Sequence, residues 1–323
     1  MTMMEEILIL SCADEADGGG IYRCRLGDEG TVTPLSYLPC PKPMYAVMDG
    51  GRLHVLLRAP FPDSENSGYF SCLSDFSERT EVRDTLGKCA CHLAVGGGDV
   101  YVTNYLSGNL VKNGRDVVTH HGRGVNLPRQ DMPHTHFAAL SPDRQYVLSC
   151  DLGRDTVFVY DRDLHEISRA KVPDGYGVRH LTFSADGRYF FAVNELVPSV
   201  STFAWDDGRA TCIGTVPLAC TVPGATAAAI RYDETESKLY ISVRGEDKIF
   251  VFDIDEGHLT LRGSAPCGGR GPRDFALFGD KIVCTNENSD SVTVLDKERL
   301  RVLGSGTFPA PLCVLKAGDT HEF

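Results

Sequence analysis

The chain has 323 residues, of which 42% are hydrophobic and 24% charged, and its formal charge is −12. That balance describes a globular protein with enough apolar residues for a sizeable core. The surplus of carboxylates argues against nucleic acid and anionic membrane surfaces as partners, and leaves an anionic small molecule open only where arginines gather locally.

The twelve cysteines are scattered singly, apart from Cys89 and Cys91, and several lie inside apolar runs. No C-x-x-C pair occurs, so reduced thiols are expected, with no zinc or redox motif. No metal-ligand spacing stands out, and no cofactor is implied. The start, MTMMEEILILSC, lacks the basic region of a signal peptide, and its apolar run is too short for one. No run approaches a transmembrane helix. The cytoplasm is the expected location.

In chain order, EILILSCADEADGGGIYRCRL (6–26) predicts two strands with no inner strand before them. YAVMDGGRLHVLLRAP follows from Tyr45, and CHLAVGGGDVYVTNYLSGNLVKNG from Cys91. HFAALSPDRQYVLSCDLGRDTVFVYD begins at His136, and RHLTFSADGRYFFAVNELVPSVSTFAWDDG at Arg179. AAIRYDETESKLYISVRGEDKIFVFDIDEGH begins at Ala228, and RDFALFGDKIVCTNENSDSVTVLDKER at Arg273. Each unit alternates apolar strands with polar turns. A fourth strand follows the third, as at 210–217 and 259–266. The second strands end at Arg58, Tyr105, Leu152, Glu195, Arg244 and Glu287, a period of 43–49 residues. Four short strands per unit at that period are the mark of a propeller blade.

The expected fold is therefore an all-β, seven-bladed propeller with four antiparallel strands per blade, one domain over 1–323. PLCVLKAG (311–318) resembles a lone inner strand. Its pairing with ILIL would complete the split blade, close the ring and remove two open edges. Trp205-Asp206 occurs once rather than in every unit, which excludes a WD40 array. The segment 61–68 is the expected long loop. His120 and His121, in the polar stretch VVTHHGRG, are read as surface residues.

The start of an inner strand and the end of the second strand share one end of a blade. Those positions from every blade meet at one mouth of the channel. They carry His136, Arg179, His180, Arg244, Arg273, Asn194, Glu195 and Glu287. Arg179, Arg244 and Glu195 flank apolar runs, where an unused charge is costly. Asp151 and the asparagines, Asn194 among them, read equally as turn caps.

Four stretches carry a resemblance: HTHFAALSPDRQYVLSCDLGRDTVFVY, GVRHLTFSADGRYFFAVNEL, SVRGEDKIFVF and GPRDFAL followed by CTNENSDSVTV. They resemble the signature blocks of the seven-bladed lactonase family, which includes 6-phosphogluconolactonases and muconate lactonizing enzymes. Blades three to seven match well and the first two weakly, and Val243 stands where the family has Asn. The resemblance implies a catalytic set of His136, Arg179, Glu195 and Arg244. It adds Arg273 as a further anion contact; His180, Asn194 and Glu287, placed at the same mouth by the repeat, are expected neighbours of the substrate. It implies hydrolysis of an anionic sugar lactone, 6-phosphogluconolactone foremost, with Glu195 or His136 as general base and no metal. A lactonizing cycloisomerase and a non-catalytic binding propeller are the alternatives.

Overall fold

The computed structural model describes residues 5–318. Seven four-stranded sheets are each hydrogen-bonded in simple antiparallel order. The only helices among the described residues are three single 3-10 turns. None is long and apolar enough to cross a membrane.

Burial explains the radial order of each blade. In blade 5 the inner strand Val178–Phe183 and the second strand Tyr189–Asn194 are buried almost throughout, whereas the outer strand Arg209–Pro217 alternates towards solvent. Strands covered on both faces read as continuous apolar runs, and a strand covered on one face alternates. The apolar clusters lie between neighbouring blades. Phe137, Leu148 and Val157 of blade 4 pack on Val178, Phe190 and Phe203 of blade 5. Phe191, Val193 and Val200 pack likewise on Ala227, Ile241 and Phe250 of blade 6.

Blade 1 is the split one. Its inner strand, Pro311–Lys316, comes from the C-terminal end and pairs with Glu5–Ser11, matching Ile7 with Lys316 and Leu10 with Cys313. Strands Gly20–Leu26 and Val32–Pro39 complete it. The pairing expected between ILIL and LCVL is the one that closes the ring.

Every blade carries the same irregularity near the mouth. The ladder between inner and second strand slips at Met44, Cys91, His136, Arg179 and Arg273, at Ala228–Ala229 in blade 6, and at Leu312 in blade 1. A bulged residue leaves the ladder, so its side chain can be re-aimed. The fold thus presents one ring of seven re-aimed positions to the channel mouth.

The loop expectations need correction. The longest stretch near the mouth is not 61–68, since the third strand of blade 2 already begins at Asn66. It is 120–134, between the outer strand of blade 3, which ends at Thr119, and the inner strand of blade 4, which begins at Thr135. His120 in that loop is buried rather than on the surface. Its Nδ1 lies 2.6 Å from Asp151 Oδ2 and its Nε2 2.7 Å from the Tyr160 hydroxyl, so the ring ties the loop to blade 4. Gln130, also buried, donates to Leu152 O at 2.8 Å and Asp155 Oδ1 at 2.7 Å, and its Oε1 accepts from the Asn126 amide at 2.9 Å. Buried polar groups without such partners would cost the loop about 1–3 kcal/mol each.

Candidate active site at the channel mouth

Three of the sequence-derived residues converge on one carboxylate. Glu195 lies one residue beyond the second strand of blade 5, where its amide donates to Gly177 O at 2.8 Å. Arg179, the bulged residue of the same blade, donates through Nε to Glu195 Oε2 at 2.9 Å. Arg244 ends the second strand of blade 6 and brings Nη2 to the same oxygen at 3.2 Å. The other oxygen, Oε1, accepts from Arg129 Nη2 at 2.7 Å. Arg129 stands in the 120–134 loop, outside every repeat, and the sequence reading did not find it. The signal was a long stretch without strand pattern between two blades, the kind of connection that carries function in compact folds.

Burial differs sharply within this cluster. The side chains of Arg179 and Glu195 are 2% and 6% exposed, and that of Arg129 is 44% exposed. Arg179 is held on all sides, since Nη1 also donates to Ala228 O at 2.6 Å and to His180 Nε2 at 2.9 Å. Burial opposes ionisation of Glu195, but Arg244, Arg179, His136 and Arg129 outweigh it and hold its carboxyl well below the usual carboxylate range. Burial, then Arg273 and Arg244, pull Arg179 down to about 9, which leaves it charged at neutral pH.

His136 lies beneath this cluster, between the rings of Tyr105 (centroids 5.6 Å apart) and His180 (5.2 Å). His92 of blade 3 packs on His180 in turn, at 5.5 Å. Burial first, and Arg179 next for His136 and His180, push these two rings far below the ordinary histidine range. Burial, then Arg231, does the same for His92. All three are neutral at pH 7. Nδ1 of His136, Nδ1 of His180 and Nε2 of His92 are enclosed and have no hydrogen-bond partner among the described residues.

A small cleft opens beside them, lined by Arg179, His180, Arg273, Cys91, Tyr45 and Leu312 among others. Arg273, in that lining, forms a loose pair with Glu287 3.8 Å away. Asp274, next to Arg273, also lines the cleft and pairs with Arg231 at 2.6 Å. Among the described residues no His, Cys, Asp or Glu cluster has the arrangement of a metal site.

Two expectations change. Asn194 is not a substrate neighbour. It is wholly buried, and its Nδ2 donates to Ser199 Oγ and Ser201 Oγ at 2.9 Å each, which ties the second strand to the third. Asn286 does the same through Thr293 Oγ1 at 3.0 Å. Glu195 is also less free to act as a base than the sequence implied, because both of its oxygens are already paired with arginines.

Comparison with known proteins places these features in context. A family model described as "Lactonase, 7-bladed beta-propeller" matches residues 7–314. An uncharacterized protein of Staphylococcus aureus is 31% identical over 318 residues, covering 88% of this chain and 90% of its own. A Staphylococcus saprophyticus relative is 31% identical over 233 residues, and there the match spans 67% of this chain and 66% of that protein, just under two thirds. The periplasmic gluconolactonase of Pseudomonas aeruginosa has a TM-score of 0.85 at 25% identity, over 96% of this chain and 98% of its own. A Lactobacillus plantarum protein of solved structure has a TM-score of 0.87 at 29% identity, over 97% of this chain and 99% of its own.

Proposed function

The chain belongs to the family of seven-bladed β-propeller lactonases, and on that premise we propose that it hydrolyses an anionic sugar lactone, 6-phosphogluconolactone foremost. The observation that carries the reading is one buried carboxylate, Glu195, shared by Arg179 and Arg244 at hydrogen-bond distance. A base and a pair of fixed cations then stand side by side, and one of those cations, Arg179, lines the cleft.

The reaction adds water across the ring ester. A water oxygen attacks the carbonyl carbon while its proton passes to Glu195, with His136 as the second acceptor nearby. Negative charge builds on the carbonyl oxygen, and Arg244 and Arg179 stabilise it without losing protons themselves. The carbonyl re-forms, the ring C–O bond breaks, and the leaving ring oxygen takes a proton back. The hydroxy acid then ionises and releases one proton at neutral pH.

Protonation states favour hydrolysis over lactonization. Cycloisomerisation needs an acid able to protonate carbon, whereas the arginines keep Glu195 ionised and burial keeps His136 and His180 neutral. The chain's charge of −12 repels anions in general, and the mouth arginines reverse that locally. A phosphorylated or carboxylated lactone suits such a site better than a neutral one. The scatter of the cysteines supports a reducing compartment, the cytoplasm.

A titration of acid release tests the reading, run with 6-phosphogluconolactone and with uncharged glucono-δ-lactone. The expected outcome is enzyme-dependent hydrolysis with a higher kcat/KM on the phosphorylated compound. Release at the buffer rate on both would leave the propeller a binding module.

A further inference from the structure

Glu195 is one negative charge among three guanidinium groups. Arg179 and Arg244 balance it from the sheets and share Oε2. Arg129 takes Oε1 from the loop. The cluster therefore carries a surplus of two positive charges in a largely buried place, which a ligand anion would relieve.

The three arginines are not equally able to turn to a ligand. Arg179 is enclosed and donates to Glu195, His180 Nε2 and Ala228 O, so moving it would strand two buried acceptors, His180 Nε2 and Ala228 O. Arg244, whose side chain is 18% exposed, reaches Ala227 O as well as Glu195. Arg129 has Glu195 as its one carboxylate partner among the described residues, stands beside the Tyr105 hydroxyl, and is nearly half exposed. Its backbone is nonetheless fixed, because the adjacent Gln130 is buried and fastened to Leu152 O and Asp155 Oδ1. The loop stays in place while the guanidinium can swing.

Deepening the reading above, on which this rests, we propose that Arg129 is the arginine that receives the substrate's anionic group, and that it leaves Glu195 Oε1 to do so. Arginine pairs a carboxylate or phosphoryl group through two parallel hydrogen bonds, a better match than the single contact it makes to Oε1. The exchange has a chemical consequence. Once Arg129 turns to the substrate, Oε1 is free to accept the proton of the attacking water. The anionic end of the substrate thereby readies the base at its lactone end, which a neutral lactone cannot do.

The test compares the wild type with Arg129→Ala and Arg129→Lys. Both changes are at a part-exposed side chain, so the fold is expected to survive, and an unchanged Tm checks this. Calorimetric titration with 6-phosphogluconate and with gluconate measures anion binding and separates phosphoryl from carboxylate recognition. Arg129→Ala should weaken 6-phosphogluconate binding tenfold or more, and Arg129→Lys should recover part of that. If gluconate binding falls equally, Arg129 reads the product's carboxylate, which the lactone lacks, and the proposal is overturned; if gluconate binding is unaffected, the phosphoryl is the group received. In turnover, Arg129→Ala should raise KM for 6-phosphogluconolactone tenfold or more, and by a much larger factor than KM for glucono-δ-lactone. Equal losses on the two lactones would make Arg129 a mere clamp on Glu195 and overturn the proposal, as would unchanged anion binding or no binding by the wild type. If the wild type hydrolyses neither lactone, the lactonase reading falls, and the binding titration still decides the role of Arg129.

Discussion

Arg244 and Arg179 meet the same carboxylate oxygen, yet their replacement should read out differently. Arg244→Ala removes a cation beside Glu195 and should lower kcat/KM about a hundredfold, the equivalent of about 2–4 kcal/mol for a lost contact to a developing oxyanion, with little change in Tm. Arg179→Ala also strands His180 and Ala228 O. It should therefore lose stability as well, by about 1–3 kcal/mol for each buried group left unpaired. A denaturation series beside the kinetics separates the two. The same cluster sets the pH response. Glu195 is ionised well below the ordinary 4.5, so activity corrected for spontaneous hydrolysis should stay level from neutrality down past that pH, rather than rise with a base titrating near it. A steep loss between pH 6 and 5 at constant fold would assign the base to another group. Stability behaves oppositely. His92, His136 and His180 are neutral when folded but protonate near 6.5 when unfolded. The unfolded chain thus takes up more protons, and stability falls as the pH drops below 6.5, by about 1.4 kcal/mol per pH unit for each ring. Tm should decline from pH 6.5 to 5.5, and His92→Phe, placed between the rings of Tyr45 and Phe137, should remove about a third of that slope. At this scale His136, Arg179, Glu195 and Arg244 were legible because a charge beside an apolar strand end stands out. Arg129 was not, since it is 66 residues from Glu195 in a segment with no repeat to align it. Asn194 misled because a blade-internal tie and a mouth residue occupy neighbouring positions on one strand.

Two elements hold the mouth in shape. The inner strand Pro311–Lys316 buries Leu312, Cys313, Val314 and Leu315, all under 6% exposed. Each large apolar side chain so buried is worth about 1.5–3 kcal/mol. Removing residues 310–323 would also bare the edge of Glu5–Ser11 and break the ring. Such a truncation should not yield a soluble, cooperatively melting protein, and a truncated chain with wild-type Tm would show that the ring closes some other way. The second element is the 120–134 loop. Gln130→Ala would release it from Leu152 O and Asp155. It should lower Tm, at about 1–3 kcal/mol for each buried group left unpaired, open 120–134 to limited proteolysis, and raise KM through the displaced Arg129. The blades were readable because strand, turn and strand recur at a near-constant period. The loop was not, because its order comes from His120 and Gln130 reaching blade 4, contacts that leave no local pattern. A polar stretch with two histidines looks the same whether it lies in water or folds back.

The whole molecule makes the site by repetition with local difference. Seven equivalent bulges ring the mouth, and their side chains range from Leu312, Met44 and Cys91 to His136, Arg179, Ala228 and Arg273. Blades 4 to 6 hold the proposed catalytic set, and apolar packing between blades fixes their relative positions, so the cations are in place before a substrate arrives. Such preorganisation is what makes charge stabilisation effective. The measurement that tests this most directly is the rate of acid release from 6-phosphogluconolactone by the wild type beside Glu195→Gln, at equal concentrations of folded protein. Glutamine keeps the size of the side chain and removes the charge that Arg129, Arg179 and Arg244 share. The account predicts enzyme-dependent hydrolysis by the wild type and a loss of about a hundredfold or more in the variant. Hydrolysis by Glu195→Gln at the wild-type rate would contradict it.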